Sequence, residues 1–285
     1  MATRLITIPF SHYCEKARWA LDRCDLPYRE EGHLPLFHYL PARLAGGRRT
    51  VPILVDGKTV IGDSTDIIAW ADDKRPGALY PANAADKADA LALEDDFDTH
   101  LGPATRRWAY FQIMPRKDLD HYVMKDVPRY ELLALRAARP LAIAFLKRSL
   151  KIDAEGADRS RVKIEDTFER LNKHLPDGRR YLIGDRFSVA DLTFAALAAP
   201  VLMPTPHPTP LPPLSELSEA ARAQITAWRE SPAGQFGLRM YREGLALNPC
   251  SIQAASRKAS TTARSCADKF RAESVFSGLT GLILI

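Results

Sequence analysis

The beginning of the chain combines a short apolar segment with a helical pattern. Arg4 to Pro9 contains three aliphatic residues around a threonine and predicts a short strand. Ser11 then precedes a segment in which apolar residues recur at helical spacing, namely Cys14, Ala17, Leu21 and Cys24. The pattern therefore predicts a strand, a turn and a helix that begins near Ser11.

Further strand patterns and a second helical pattern follow. Leu26 to Glu31 predicts a second strand, and Val51 to Val55 is an apolar run that ends in Asp56-Gly57, a typical hairpin turn. The chain returns at Thr59 to Ile61, and Asp63 to Asp73 predicts a helix that a Pro-Gly pair stops. A β-α-β unit followed by a β-β-α unit, an α/β domain, is therefore expected at residues 1–75.

No strand pattern recurs after a linker predicted at residues 76–85. The domain predicted at 86–245 contains only helical patterns, which cover Ala88–Phe111, Tyr130–Leu150, Ser160–Leu175, Val189–Ala199, Glu216–Glu230 and Ala233–Glu243. Pro200 to Pro213 contains seven prolines and predicts an extended surface loop. This loop could form a wall of the electrophile site or merely connect helices, and we prefer the second. Residues 246–285 are rich in Ser, Ala and Thr before an apolar end, and we expect a disordered or non-native tail of unknown role.

Composition argues against several functions. The 285 residues include 40 Lys and Arg against 35 Asp and Glu, a net charge of +5 with both signs interspersed, so no basic face for nucleic acid is visible. No apolar run approaches the roughly 20 residues of a membrane-spanning helix. The four cysteines are too widely spaced for a zinc site and too few for a disulfide framework. We therefore expect a cytoplasmic protein that binds no metal, nucleic acid or membrane.

Three positions near the ends of the predicted strands could carry chemistry, although each also has a structural explanation. Ser11 lies at a helix start, where free N–H groups and the helix dipole stabilise a thiolate, but serine also caps helices. A cis bond between Val51 and Pro52 would leave the Val51 backbone free to pair with a bound peptide, whereas a trans bond would mark an ordinary strand start. Asp63 and Ser64 could bind an amino-acid head group or simply cap the second helix.

These positions belong to a series of motifs. The N-terminal part contains S-H-Y-C-E-K-A-R-W-A-L-D, T-V-P-I-L-V-D-G and G-D-S-T-D-I-I; the C-terminal part contains R-Y-L-I-G-D-R-F-S-V-A-D-L-T and S-P-A-G-Q-F-G-L-R-M-Y-R-E-G. In this order they resemble the glutathione transferases, of the bacterial type with an active-site serine, over about residues 3–245. The resemblance implies a thioredoxin-like N-terminal domain followed by an all-helical domain. It also implies that glutathione is the co-substrate, and that the protein is a homodimer that serves detoxification.

The same resemblance suggests a role for individual residues. Ser11 takes the position of the serine that activates glutathione in serine-type members. Val51, before Pro52, would bind the cysteinyl backbone of glutathione, and Asp63 and Ser64 would bind its γ-glutamyl head.

The anchor for the glycine carboxylate of glutathione remains open between two residues. A carboxylate needs a cation, and the loop between the second strand and Val51 is polar and basic. Arg49 or His38 could serve, and both could equally be solvated loop residues.

Cys14 offers a competing chemistry. S-H-Y-C resembles the C-P-Y-C of glutaredoxins with serine in place of the nucleophilic cysteine, and Cys14 could form a mixed disulfide with glutathione. Its place on the apolar stripe of the helix favours a buried core residue instead, so we prefer Ser11. Tyr13 could offer a hydroxyl, although tyrosine-type members carry their tyrosine earlier.

The electrophile is expected on the helical side. The richest cluster of cationic and aromatic residues there is Arg106, Arg107, Trp108, Tyr110 and Phe111. Helical geometry places Arg107, Tyr110 and Phe111 on one side, and these three are predicted to face the electrophile.

The sequence therefore predicts a glutathione transferase-like enzyme in which a glutathione thiolate attacks a small apolar electrophile. Two alternatives stay open. One is a Cys14-dependent glutathione thiol reductase or lyase, and the other is a glutathione transferase-fold binding protein without turnover.

Overall fold

Four strands form one mixed sheet in the N-terminal part of the computed structural model, which describes residues 2–116, 126–175, 178–205 and 207–246. They are β1 (Arg4–Thr7), β2 (Arg29–Gly32), β3 (Ile53–Asp56) and β4 (Thr59–Ile61), in the order β2-β1-β3-β4. β1 pairs with β2 in parallel and with β3 antiparallel, and β3 pairs with β4 antiparallel. The helices of this part are α1 (His12–Arg23), α2 (Tyr39–Leu44) and α3 (Ser64–Lys74).

The strand register brings four loops to one edge of the sheet. Thr7, at the end of β1, pairs with Gly32, at the end of the parallel β2. Ile53, at the start of β3, pairs with Ile6, and the antiparallel β4 ends next to the start of β3. The loops that follow β1, β2 and β4 and the loop that precedes β3 therefore meet at the same edge.

The helical part consists of eight helices in the described residues. Their bounds are α4 (Ala84–Asp96), α5 (Gly102–Ile113), α6 (Arg129–Ala137), α7 (Arg139–Leu150), α8 (Ala154–His174), α9 (Val189–Leu202), α10 (Glu219–Glu230) and α11 (Pro232–Ala246). A π-helical turn, Phe97–Leu101, joins α4 to α5, and a 3-10 turn covers Leu214–Glu216. α9 is buried over nearly its whole length and contacts α1, α4 and α5, so it forms the centre of the core.

The N-terminus of α9 is fixed by a capping box. The Asp191 carboxylate accepts hydrogen bonds from the backbone N–H of Ser188 at 2.7 Å and of Leu182 at 2.7 Å, and from the Ser188 hydroxyl at 3.0 Å. Burial raises the pKa of Asp191 to about 6. The polar start of the most apolar helix is thus tied to the loop before it.

The thioredoxin-like sheet followed by a helical domain confirms the predicted fold class. Several details differ from the sequence predictions. α2 was not predicted, α4 begins inside the predicted linker, and the pattern from Tyr130 to Leu150 is two helices that separate at Ala138. Pro200 lies inside α9, two residues before its end, rather than in the loop. Because proline has no N–H, it cannot donate to the carbonyl of Ala196. The predicted tail from residue 247 onward lies outside the described residues.

No helix in the described ranges is long and apolar enough to cross a membrane. In the same ranges, no group of three or more His, Cys, Asp or Glu side chains is arranged to hold a metal ion.

Candidate active site

Ser11 begins α1 at the sheet edge where the four loops meet. Its backbone is extended, as an N-cap requires, and its hydroxyl oxygen accepts a hydrogen bond from the Cys14 N–H at 3.4 Å. Its own N–H donates to the Ile8 carbonyl at 2.9 Å, which fixes the loop after β1. Because the hydroxyl accepts from the helix, its hydrogen remains free to donate to a group in the adjacent cleft.

Val51, Asp63 and Ser64 lie at the same edge of the sheet. The peptide bond between Val51 and Pro52 is cis, and the Val51 N–H and C=O have no backbone hydrogen bond within the described residues. Asp63 is exposed and caps α3 by accepting from the Thr65 N–H at 2.9 Å, while Ser64 is buried in the first turn. Capping is thus the observed role of Asp63, and an exposed carboxylate also remains available to a ligand.

His38 and Arg49 belong to the segment between β2 and β3. His38 is buried, and its Nε2 donates to the Arg49 carbonyl at 3.0 Å. Burial lowers the pKa of His38, so its ring stays neutral at physiological pH. Arg49 is exposed and permanently charged, which makes it the better cation of the two for a carboxylate.

Cys14 is buried completely in the interior of α1. Burial raises the pKa of its thiol to about 11, against the smaller opposing effect of the Arg18 charge. At pH 7, a thiol of that pKa is ionised in about one molecule in ten thousand. Cys14 therefore has the properties of a core residue rather than of a nucleophile.

A large, mostly apolar cleft opens beside Ser11. It contains about 940 Å³ of space that protein atoms do not fill, part of which is open solvent. Its walls come from the loop after β1, from α5, from the end of α9 and from the proline-rich segment, with side chains that include Phe10, Ser11, Tyr110, Ile113, Met203 and Leu211. The thiolate position predicted at Ser11 and an apolar chamber thus share one wall.

Two of the predicted electrophile-binding residues do not line this cleft. Arg107 turns toward α8 and the end of α7. Its Nη1 donates to the hydroxyl of Ser160 in α8 at 3.1 Å, and its Nε donates to the carbonyl of Leu150, the last residue of α7, at 2.9 Å. Phe111 is also absent from the walls, whereas Tyr110 lines them. The structure therefore does not bring Arg107 or Phe111 to the walls of this cleft, and the Arg107 guanidinium is held by α8 and the end of α7 instead.

Tyr13 also points away from the cleft. Its hydroxyl donates to the Asp98 carbonyl at 2.9 Å, and burial raises the pKa of the phenol further above its ordinary value. The side chain packs against Gly102, where a Cβ would collide with the phenol oxygen. Tyr13 therefore joins α1 to the π-helical turn.

The proline-rich segment forms part of the cleft wall, so the prediction that it merely connects helices was wrong. Pro200, His207, Pro210, Leu211 and Pro212 line the cleft. One hydrogen bond joins the segment to the loop of Ser11, because the Thr209 hydroxyl donates to the Pro9 carbonyl at 3.0 Å. The Arg18 guanidinium donates to the same oxygen at 2.8 Å.

Sequence analysis missed two residues of the cleft, His12 and Arg106. The His12 ring is buried, and its Nε2 donates to the Gly102 carbonyl at 3.0 Å. Burial, and then the charge of Arg106, lowers the pKa of His12 to about 3, so the ring is neutral. Arg106 had appeared only as a neighbour of Arg107, and sequence spacing gave no reason to prefer it.

A buried charged network lies behind Asp63 and Ser64. The Lys16 ammonium contacts the Glu94 carboxylate at 2.8 Å and the Asp98 carboxylate at 2.5 Å, and donates to the Thr65 hydroxyl at 3.2 Å. Burial raises the pKa of Glu94. These groups join α1 and α3 to α4 and to the π-helical turn, so the network holds the start of α3 against the helical part.

Family comparisons agree with this arrangement. The model of the glutathione S-transferase N-terminal domain matches residues 5–79, and the model of the glutathione S-transferase C-terminal domain matches residues 154–230. Together the two span just over half of the chain. The chain belongs to the glutathione S-transferase family. A comparison with curated proteins finds no match.

Solved glutathione transferase structures share the fold at low sequence identity. A glutathione transferase from Burkholderia graminis, with two glutathione molecules bound per subunit, aligns with a TM-score of 0.55 and 17% identity, covering 89% of this chain and 87% of its own. A possible glutathione S-transferase from Rhodopseudomonas palustris gives a TM-score of 0.54 and 16% identity, covering 87% and 95%. A beta-etherase from Sphingobium gives 0.53 and 19%, covering 84% and 99%.

Proposed function

We propose that this glutathione S-transferase family member is a serine-type transferase that conjugates glutathione to an electrophile bound in the apolar cleft. The observation that carries the proposal is the position of Ser11, whose hydroxyl caps α1 and lines the cleft. A hydroxyl donor and a helix N-terminus at one point favour a thiolate over a thiol. The cleft would hold the second substrate close to that sulfur, and proximity would supply much of the rate.

We assign the remaining contacts to glutathione to residues at the edge of the sheet where the four loops meet. In this proposal, the free backbone groups of Val51 pair with the cysteinyl residue and the Asp63 carboxylate binds the γ-glutamyl ammonium. The N-terminus of α3 at Ser64 receives the glutamyl carboxylate, and Arg49 binds the glycine carboxylate. The burial of His38 supports Arg49 over His38 for that role.

The first test compares wild type with Ser11→Ala and Cys14→Ala. We expect Ser11→Ala to lower kcat for conjugation of glutathione to a benzyl halide by about 100-fold, because it removes the donor that stabilises the thiolate. Cys14→Ala should retain the activity. The ultraviolet absorbance of bound thiolate, followed against pH, should show a higher thiol pKa in Ser11→Ala.

The exposed Ser149→Ala serves as the matched control, since Ser149 lies in α7 away from the cleft. Retained activity in Ser11→Ala with loss in Cys14→Ala would favour the cysteine-dependent reductase or lyase. Glutathione binding without conjugation in the wild type would favour a binding protein.

The proposal includes a homodimer in the cytoplasm with a role in detoxification, and two domains joined at residues 76–85, with the second extending over 86–245. Light scattering of the full chain would test the dimer, and a monomer at micromolar concentration would contradict it.

A further inference from the structure

Arg106 is a cation without an ion-pair partner among the described residues, in a cleft whose other charged side chains form ion pairs. Its side chain is half-buried in α5 and lines the cleft together with Ser11 and Tyr110. Within the part of the chain that the structure describes, Arg106 has neither an ion-pair partner nor a hydrogen bond. The N–H donors of this half-buried guanidinium are therefore available to an acceptor that a ligand brings into the cleft.

The other charged residues of the cleft are paired. The Arg18 guanidinium contacts the Glu15 carboxylate at 3.0 Å and the Glu30 carboxylate at 2.7 Å. Arg116 contacts the Glu216 carboxylate at 2.5 Å. The Glu15 carboxylate is held by Arg18, so it is not a partner for Arg106.

The groups nearest to Arg106 cannot neutralise it. Its charge acts on His12, Tyr13 and Tyr110, and each of these side chains is uncharged at neutral pH, since burial lowers the pKa of His12 and raises those of both phenols. Tyr110 therefore keeps its proton and remains a hydrogen-bond donor. Arg106 and Tyr110 are therefore two donors that line the same cleft, whose exposed surface is mostly apolar.

We propose that the electrophile of this enzyme carries a carboxylate, which Arg106 binds with Tyr110 as a second donor. The inference rests on the proposed function, because it assigns the chemical class of the second substrate in the same cleft. A planar carboxylate matches the two-pronged geometry of a guanidinium. The apolar body of the substrate would lie against the remaining walls, with its reactive carbon toward Ser11.

The test uses two conjugates that differ only in the para substituent of the benzyl ring, a carboxylate in S-(para-carboxybenzyl)glutathione and a methyl group in S-(para-methylbenzyl)glutathione. Calorimetry should show that the wild type binds the carboxybenzyl conjugate roughly ten-fold more tightly. Arg106→Gln should abolish that preference, and Arg106→Lys should keep part of it. Gln112→Leu removes a neutral polar group from the same helix and the same cleft, and it should keep the preference.

The preference of the wild type for the carboxybenzyl conjugate should also decrease as the salt concentration is raised. This measurement tests the electrostatic contribution to binding without any substitution. Equal affinity of the wild type for both conjugates would overturn the inference, as would a preference that survives in Arg106→Gln. Glutathione alone is titrated in parallel. If it binds while the conjugates are not distinguished, only this inference fails; if glutathione does not bind, the proposed function fails and this inference with it.

Discussion

Ser11 and Cys14 lie one helical turn apart and differ mainly in exposure. Ser11 faces the cleft, whereas Cys14 is enclosed by the core of the sheet and the helices. A thiolate buried there would lose its hydration, and the protein offers no full compensation, since burial outweighs the attraction of Arg18 in setting the thiol pKa. The site thus contains a thiol that is kept unreactive beside a hydroxyl that is kept accessible.

The unreactive thiol can be tested directly. With iodoacetamide at pH 7, we expect Cys14 to be alkylated at least 100-fold more slowly than free glutathione, because about one thiol in ten thousand is ionised and none of its surface is accessible. Peptide mass spectrometry of the labelled chain measures this rate, and denatured protein provides the fully reactive control. Rapid labelling of Cys14 in the folded protein would restore the cysteine mechanism.

Arg106 and Arg107 of α5 show what sequence analysis cannot predict about a single residue, namely which neighbouring element its side chain faces. Spacing correctly indicates that Arg107 and Phe111 share a face, but it does not say which helix covers that face. In the folded protein Arg107 packs against α8 next to Gly156, where an added Cβ would lie 3.1 Å from the Arg107 Cδ. The neighbouring Arg106 lines the cleft instead. This difference depends on tertiary packing, which the local sequence pattern does not predict.

At the scale of elements, the capping box of α9 fixes the start of the helix and also contains a titratable group, the Asp191 carboxyl, whose protonation affects stability. Asp191 accepts three hydrogen bonds, which favour its charged form, yet burial dominates and raises its pKa to about 6. The folded protein therefore binds this proton more tightly than the unfolded chain does. The stabilisation from protonation is complete below the ordinary pKa of about 3.8 and is lost as the pH rises through 6.

We expect a corresponding pH dependence of stability. Relative to Asp191→Asn, the free energy of unfolding of the wild type should fall by about 2 kcal/mol between pH 4 and pH 7. Urea unfolding at several pH values measures this difference. Asp185→Asn, an exposed aspartate in the same loop, should leave the pH profile of the wild type unchanged. A constant difference between wild type and Asp191→Asn would contradict the argument.

Most helices and strands could be predicted from the sequence because strong local patterns specify them. The Asp56-Gly57 turn, the Ser188 cap and the long apolar run of α9 each dictate a local conformation. The short helix α2 was missed because two of its leucines, Leu40 and Leu44, are exposed and leave no amphipathic stripe. The π-helical turn was also missed, since an extra residue in a helical turn leaves the apolar periodicity almost unchanged.

At the scale of the whole molecule, the Glu131 carboxylate joins the sheet part to the helical part near the proposed glutathione site. Glu131, fully buried at the start of α6, accepts from the Leu34 N–H at 2.8 Å and contacts the His33 ring at 2.6 Å. His33 and Leu34 directly follow β2 at the edge that carries the proposed glutathione contacts. The helical part therefore supports the loop between β2 and α2.

Removal of this carboxylate should be costly. We expect Glu131→Ala to lower the free energy of unfolding by about 2–4 kcal/mol, because it leaves a buried N–H and an imidazole without their acceptor. Glu155→Ala removes an exposed carboxylate that pairs with Arg159, and it should change stability by less than about 1 kcal/mol. Chemical denaturation of the two variants provides the measurement, and equal effects would contradict a special role for Glu131.

The strand register also determines where the protein can be altered without harm. The Asp56-Gly57 turn lies at the ends of the strands opposite to the edge of the proposed glutathione contacts, and the Thr3 hydroxyl donates to Asp56 there at 2.9 Å. Nothing lies within 4 Å of the position that a Gly57 side chain would take. A fluorophore or surface tether attached after Gly57 would therefore report on the enzyme, or immobilise it, while leaving substrate entry unobstructed.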